Sequence, residues 1–298
     1  MSNKGNEGRV VIVTGAGQGI GRAHALAFAA AGAAVVVNDY DADSAAKVAA
    51  EIVAAGGRAV AAAGDVADWA AGERIVATAV AEFGGLDVLV NNAGFVRDRM
   101  LISLSEDEWD SVVRVHLKGH FVLLRHAGAY WRAEAKAGNA RQARIINTSS
   151  GAGIFGSVGQ GNYAAAKAAI AELTIQAAAE LGGYGVTVNG IAPAARTAMT
   201  MGAGDAMAEQ MAAPADGSFD AMDPANISPL VVWLGSPEAG DVTGRLFEVE
   251  GGVITVLDGW QRAASADKGA RWEQSELGAV VADLIEKSPA QVKPYGAR

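Results

Sequence analysis

The chain has 298 residues, 19% charged and 51% hydrophobic, with 24 basic against 33 acidic side chains and a net charge of −9. That length allows two domains, although an α/β fold of about 250 residues often forms one, and the composition excludes a disordered chain or a coiled coil. The acidic balance argues against a nucleic-acid partner. The lack of cysteine removes disulfides, thiolate metal sites and cysteine catalysis and fits a cytoplasmic location.

No apolar run reaches the roughly 18 residues of a spanning helix, so no membrane partner is expected. Residues 1–9 lack the apolar core of a secretory signal. From there the chain alternates. An apolar run at 10–14 leads through a glycine turn into a helix that ends near Ala31. Further apolar runs at 34–38, 59–63, 86–90, 144–148 and 186–191 are spaced by amphipathic helices. Runs apolar throughout suit strands buried on both faces, and the rhythm is that of βαβ units. The expected fold is α/β: a single-domain, Rossmann-type, doubly wound parallel sheet over residues 1–252.

The first strand runs into Thr14-Gly15-Ala16-Gly17-Gln18-Gly19-Ile20-Gly21. Glycines let a backbone turn tightly and approach a pyrophosphate, and a helix N-terminus offers free N–H groups. G-x-G-x-x-G fails in both registers, because Ile20 and Arg22 stand where glycine is needed. A phosphate loop ending in lysine is also absent. G-x-x-x-G-x-G fits at Gly15, Gly19 and Gly21. Asp39 closes the second strand, 39 − 21 = 18 residues past the last glycine. A carboxylate there accepts both ribose hydroxyls of an adenosine and repels a 2′-phosphate. With no Arg or Lys at 16–18 or 40, the expected cofactor is NAD.

Ser150 follows the fifth strand, and Tyr163 and Lys167 stand at i, i+4 on one helix face. A free phenol has a pKa of about 10. A nearby ammonium lowers it and makes the phenol a usable base, while a serine hydroxyl steadies developing charge on a substrate oxygen. Behind a nucleotide loop, the trio reads as a proton-transfer site beside a hydride carrier.

With these motifs the sequence resembles the short-chain dehydrogenase/reductase family over about residues 9–252. The resemblance rests on residues 14–21, Asp65-Val66, Asn91-Asn92-Ala93-Gly94, Ser150, Tyr163 and Lys167. It implies that Gly15, Gln18, Gly19, Ile20 and Gly21 line the pyrophosphate, and that Asp65 and Val66 hold the adenine. It further implies that Asn92, Ala93, Gly94, Pro193 and Thr197 border the cofactor, and that Lys167 also binds the nicotinamide ribose. Val37-Asn38-Asp39, Arg97-Asp98-Arg99, Arg114-Val115-His116, residues 159–163 and residues 246–249 resemble the (3R)-hydroxyacyl-CoA and 17β-hydroxysteroid dehydrogenase branch. Three departures stand out: His116 replaces the usual asparagine, Pro193-Ala194 replaces Pro-Gly, and the tail is long. In the family that asparagine helps hold a water joining the lysine to solvent. His116 is therefore expected near Lys167, directly or through one water, as a relay for the Tyr163 proton.

All seven prolines lie beyond residue 192, and five of the seven methionines fall between Met199 and Met222. The α/β rhythm lapses there, and the methionines suit either gap-filling in a core or a substrate lid over about 194–222 that moulds to an apolar group. The rhythm resumes with a helix at 227–234 and a strand at 246–249. Residues 253–298 form an expected helical extension. Its stripe Leu277, Val280, Val281, Leu284 and Ile285 needs a surface on this subunit or a neighbour. The family forms dimers and tetramers, so a homo-oligomer is expected.

His116 and His120 stand at i, i+4 but have no evident third ligand, so no metal is expected. No H-E-x-x-H or G-x-S-x-G occurs. The reading is an NAD-dependent oxidoreductase acting on a secondary alcohol or ketone of a bulky apolar molecule, a 3-hydroxyacyl-CoA or a hydroxysteroid. A 3-oxoacyl-carrier-protein reductase would prefer NADPH, which Asp39 disfavours. A nucleotide sensor without turnover would not need Ser150, Tyr163 and Lys167 together.

Overall fold

The computed structural model describes residues 5–197, 209 and 211–297. Its strands are β1 (Val10–Val13), β2 (Ala34–Val37), β3 (Arg58–Ala61), β4 (Val88–Asn91), β5 (Ala143–Thr148), β6 (Val186–Ala194), β7 (Leu246–Glu250) and β8 (Val253–Leu257). They form one sheet in the order β3-β2-β1-β4-β5-β6-β7-β8. All neighbours run parallel except β7 and β8.

The helices are α1 (Gly19–Ala30), α2 (Ala42–Ala54), α3 (Trp69–Phe83), α4 (Glu106–Val113), α5 (Gly119–Lys136), α6 (Gly151–Phe155), α7 (Gly161–Leu181), α8 (Ser228–Leu234) and α9 (Gln274–Glu286). A one-turn π segment, Arg114–Lys118, joins α4 to α5. Alternate residues of each central strand feed opposite layers. Val11 and Val13 pack with Phe28 of α1, Ile52 of α2 and Leu234 of α8. Val10 and Ile12 pack with Ile75 of α3 and Leu123 and Trp131 of α5. This is why the runs read as apolar throughout: β1, β2 and β4 are buried at every position. Trp131, 1% exposed, spends its one polar atom on the Leu86 carbonyl at 2.7 Å.

Helix starts follow their capping chemistry. Asp41 and Asp68 accept backbone N–H groups of α2 and α3, and Ser105 and Glu108 form a capping box on α4. The start of α1 differs, for Gln18 makes no side-chain cap. The strand order reverses at β1 and β4, and there the carboxyl ends of the strands open a crevice.

Two features go beyond the sequence reading. β8 pairs antiparallel with β7, so the expected boundary at residue 252 falls inside a hairpin. α9 forms where the stripe predicts, but none of its residues is buried. Of its stripe, Leu277, Val281 and Ile285 stay 39%, 48% and 69% exposed. Further along the tail, Tyr295 makes a parallel bridge with Ser157 beside α6.

Candidate active site

The glycine turn is built against the end of β4. A Cβ on Gly15 would stand 2.8 Å from the Ala93 Cα, and one on Gly21 would stand 2.1 Å from the Gly15 carbonyl oxygen. Gly15 and Gly19 hold φ of 60° and 55°, where side chains are strained. Asn92 fastens this fold. Its Nδ2 donates to the carbonyls of Thr14 at 3.0 Å and Gly15 at 3.3 Å. The Thr14 hydroxyl accepts the N–H groups of Asn92 and Ala93. The Thr197 methyl lies 3.6 Å from where a Gly19 Cβ would be. The partly buried Ile20 side chain packs against the core behind the turn.

Asp39 sits next to this turn. Its Oδ2 accepts the Gly17 N–H at 2.9 Å and its Oδ1 accepts the Asp41 N–H at 3.1 Å. An uncapped helix start with no acid in its first turn, beside a carboxylate, fits a dinucleotide: pyrophosphate on the amides and ribose on the acid. Asp65 caps Ala67 N at 2.8 Å and holds Arg114 at 2.6 Å. Its neighbour Val66 packs on Gly119, where a Cβ would come within 2.7 Å. Pro193 lies inside β6, opposite Val249.

Ser150, Tyr163 and Lys167 do come together. Ser150 is the N-cap of α6, its oxygen accepting the Ala152 N–H at 3.2 Å. Lys167 Nζ lies 5.5 Å from the Tyr163 ring centroid and donates to the Thr148 carbonyl at 2.6 Å. Burial pushes the Lys167 ammonium down to about 7. Burial likewise pushes the Tyr163 phenol above its usual value, and a hydrogen bond from Ser150 pulls it partly back. Burial is the largest influence on the phenol, and the Asp98 charge adds to the rise.

His116 lies in the π segment and is 1% exposed. Its ring meets Tyr163 edge-on, with centroids 5.2 Å apart. Gly94 makes room, for a Cβ there would sit 2.0 Å from His116 Cε1. Nε2 lies 3.1 Å from the Phe95 N–H and 2.7 Å from its carbonyl oxygen, so the tautomer decides whether it accepts or donates. Nδ1 is buried without a partner. A direct bond to Lys167 is absent among the described residues. The two are still close enough for the lysine's charge to add to burial in holding the imidazole well below its usual pKa.

The sequence reading gave no role to Asn162 or Tyr295 and weighed His120 only as a metal ligand. Asn162 accepts the Tyr163 N–H at 2.8 Å and donates to the carbonyls of Arg97 at 3.2 Å and Glu108 at 3.0 Å, anchoring the catalytic helix to the loop after β4. Its place just before Tyr163 was a usable capping signal. His120, buried with Nε2 unpartnered, has its pKa lowered to about 3 by burial, with the Lys167 charge adding. Tyr295 reaches the site from the tail: its ring packs edge-on against Phe155, and a Cβ on Gly151 would stand 2.6 Å from its Oη. Nothing in periodicity or spacing marks it. No group of three or more metal-ligating side chains gathers among the described residues. Of the expected lid, residues 198–208 and 210, with Met199, Met201 and Met207, lie outside the described residues. Its two ends meet where Arg196 grips Asp220 at 2.5 Å and donates to the Met211 carbonyl at 2.8 Å.

A nucleotide crevice at the strand switch, with serine, tyrosine and lysine at its mouth, defines a dinucleotide-dependent oxidoreductase. Residues 9–208 match the short chain dehydrogenase family, and the chain belongs to it. It is 48% identical over 287 residues to hydroxyacyl-CoA dehydrogenase ChsB1 of Mycobacterium tuberculosis, covering 93% of this chain and 89% of that one. It is 41% identical over 269 residues to mouse peroxisomal multifunctional enzyme type 2, covering 87% of this chain but 34% of the longer protein. A crystal structure of a short chain dehydrogenase from Mycobacterium avium superposes with a TM-score of 0.89 at 59% identity, over 98% of this chain and 99% of that one.

Proposed function

We propose that the protein is an NAD-dependent dehydrogenase of 3-hydroxyacyl-CoA thioesters, with hydroxysteroids as the next candidates. The observation that carries the reading is the convergence of Ser150, Tyr163 and Lys167 on one side of a crevice whose other end is Asp39. The relatives named as hydroxyacyl-CoA and multifunctional enzymes support the substrate class.

When bound, the nicotinamide takes or returns the hydride. The chain's own residues handle the proton. Ser150 donates a hydrogen bond to the substrate oxygen. Tyr163 accepts the hydroxyl proton in oxidation and returns it in reduction. Lys167, fixed by Thr148, favours the phenolate whenever it is protonated. His116, with its free Nδ1 inside the site, is assigned the onward relay through one water. The other proposed cofactor contacts are Asp65, Val66, Asn92, Ala93, Gly94, Pro193 and Thr197. Residues 1–252 serve as the catalytic domain and 194–222 as the lid. The working form is a cytoplasmic homodimer or homotetramer.

The test is NAD reduction measured across 3-hydroxyacyl-CoAs of several lengths, 17β-hydroxysteroids and simple alcohols, for the parent and for Tyr163→Phe. Turnover is expected on the thioesters. The variant is expected to lose about 100-fold or more in kcat while still binding NAD. A near-normal kcat in Tyr163→Phe removes the assignment.

A further inference from the structure

The loop after β4 carries a cation that the proton chemistry does not use. Arg97 lays its guanidinium over the Phe95 ring, 4.8 Å from the centroid. Its side chain donates only to the carbonyl of neighbouring Val96, at 3.0 Å, among the described residues. The other ions nearby are engaged. Arg99 is held by Glu108 at 2.8 Å, Asp98 accepts from the Gln160 amide at 3.0 Å, and Arg114 is held by Asp65 at 2.6 Å. In a chain with net charge −9, carboxylates are plentiful, yet none of the described ones pairs with Arg97.

The loop itself is fixed. The Arg97 carbonyl accepts from Asn162, whose Oδ1 holds the Tyr163 N–H. The Arg99 N–H donates to the Gly159 carbonyl at 2.7 Å. Arg97 therefore stands at a set reach from the phenol. Three successive contacts of 4.8, 6.3 and 5.2 Å lead from its guanidinium through Phe95 and His116 to the Tyr163 ring, which bounds the separation at about 16 Å. Next to it lies an apolar ledge. Met100, Leu101 and Ile102 are 57%, 62% and 97% exposed. Leu101 lies against Gly161, two residues before Tyr163, where a Cβ would stand 2.5 Å from Leu101 Cδ1.

A fixed, unpaired guanidinium beside an apolar ledge suits a ligand with a phosphate at one end and an uncharged arm. We infer that Arg97 receives a phosphate of the CoA moiety while the acyl C3 lies at Tyr163. This rests on the acyl-thioester reading above. The arm between the thioester sulfur and the first phosphate has about the backbone of four extended residues, so it spans roughly 14 Å. With the three bonds from C3 to the sulfur, about one more residue's length, the extended reach is roughly 17 Å, enough to cover the largest separation that the ring contacts allow. Arginine suits the task because its fork meets phosphate with two parallel hydrogen bonds.

The experiment compares one 3-hydroxyacyl group carried on CoA, on 4′-phosphopantetheine and on N-acetylcysteamine, with parent, Arg97→Gln and Arg97→Lys. For Arg97→Gln the ratio of kcat/KM on the CoA ester to that on the N-acetylcysteamine ester is expected to fall about 10-fold. Arg97→Lys recovers part of it. The parent's KM for the CoA ester rises with ionic strength more steeply than that of Arg97→Gln. If the phosphopantetheine ester follows the CoA ester, the phosphate beside the pantetheine arm is the one held. If it follows the N-acetylcysteamine ester, the held phosphate is a distal one of the nucleotide. A ratio unchanged in a parent that turns over both esters overturns the Arg97 site alone, as does a shift confined to the KM for NAD. A parent that turns over no thioester overturns this site together with the proposed function.

Discussion

At the scale of single residues, the crevice is decided by a few atoms whose partners exclude alternatives. Asp39 spends one oxygen on Gly17 and one on Asp41, which points the carboxylate along the glycine turn. A 2′-phosphate brought there meets a fixed negative charge. NAD is therefore expected to be preferred over NADP by 10-fold or more in kcat/KM, about 1.4 kcal/mol at least. Asp39→Ala should narrow that gap, as steady-state rates with both cofactors would show. His116 is the second such residue. Its Nδ1 is buried and unpartnered, and glycine at 94 leaves room for the ring. Under the relay reading, His116→Asn keeps much of the activity, while His116→Leu folds but slows turnover and alters the pH profile of kcat. A leucine variant as active as the parent at every pH would make His116 a packing residue.

At the scale of elements, the outer edge of the sheet and the tail stand apart from the rest. β8 exposes Val253, Ile254 and Val256 at 64%, 56% and 54%, and Trp260 beyond it is fully exposed. The α9 stripe borders an open hollow of about 420 Å³ lined by Val281, Leu284 and Ile285. Monomeric proteins rarely leave contiguous apolar surface of this kind uncovered. A second copy of the chain is the expected cover, because an isologous contact would bury both stripes at once. Val281→Glu with Ile285→Glu is expected to lower the oligomeric state measured by light scattering. If the mass does not change, α9 is left outside the interface.

At the scale of the whole molecule, buried histidines couple stability to pH. His24 joins α1 to α8 through Ser228 at 2.9 Å, and its pKa falls to about 3 through burial. His120 falls to about 3 as well. Both are depressed in the folded state, so the unfolded chain binds more protons between about 3 and the ordinary value near 6.5. Their neutral-state stability is full above 6.5 and is lost as pH falls towards 3. Each contributes up to about 1.4 kcal/mol of lost stability per pH unit across that window. Urea unfolding at pH 7.5, 6.0 and 5.0 checks this. The paired change His24→Leu with Ser228→Ala should flatten the slope by about one proton. An unchanged slope would mean that His24 titrates normally.

What the sequence determined by itself is what local chemistry and spacing dictate. Apolar runs mark strands buried on both faces, and an i, i+4 step puts Tyr163 and Lys167 on one face. Gly15, Gly19 and Gly21 were legible because only glycine meets the steric demand of that turn. What the tertiary structure decided depends on partners distant in the chain. β8 looked like a tail because, among the described residues, its pairing is with β7 alone. The exposure of α9 could not be read from a stripe that merely calls for some surface. Tyr295 reaches α6 from more than a hundred residues away in sequence, and Asn162 matters through the loop after β4. The phenol's pKa, too, is set by burial, which raises it against the pull of Ser150. Spacing puts a lysine beside a tyrosine, but only the packed fold decides how much water reaches either.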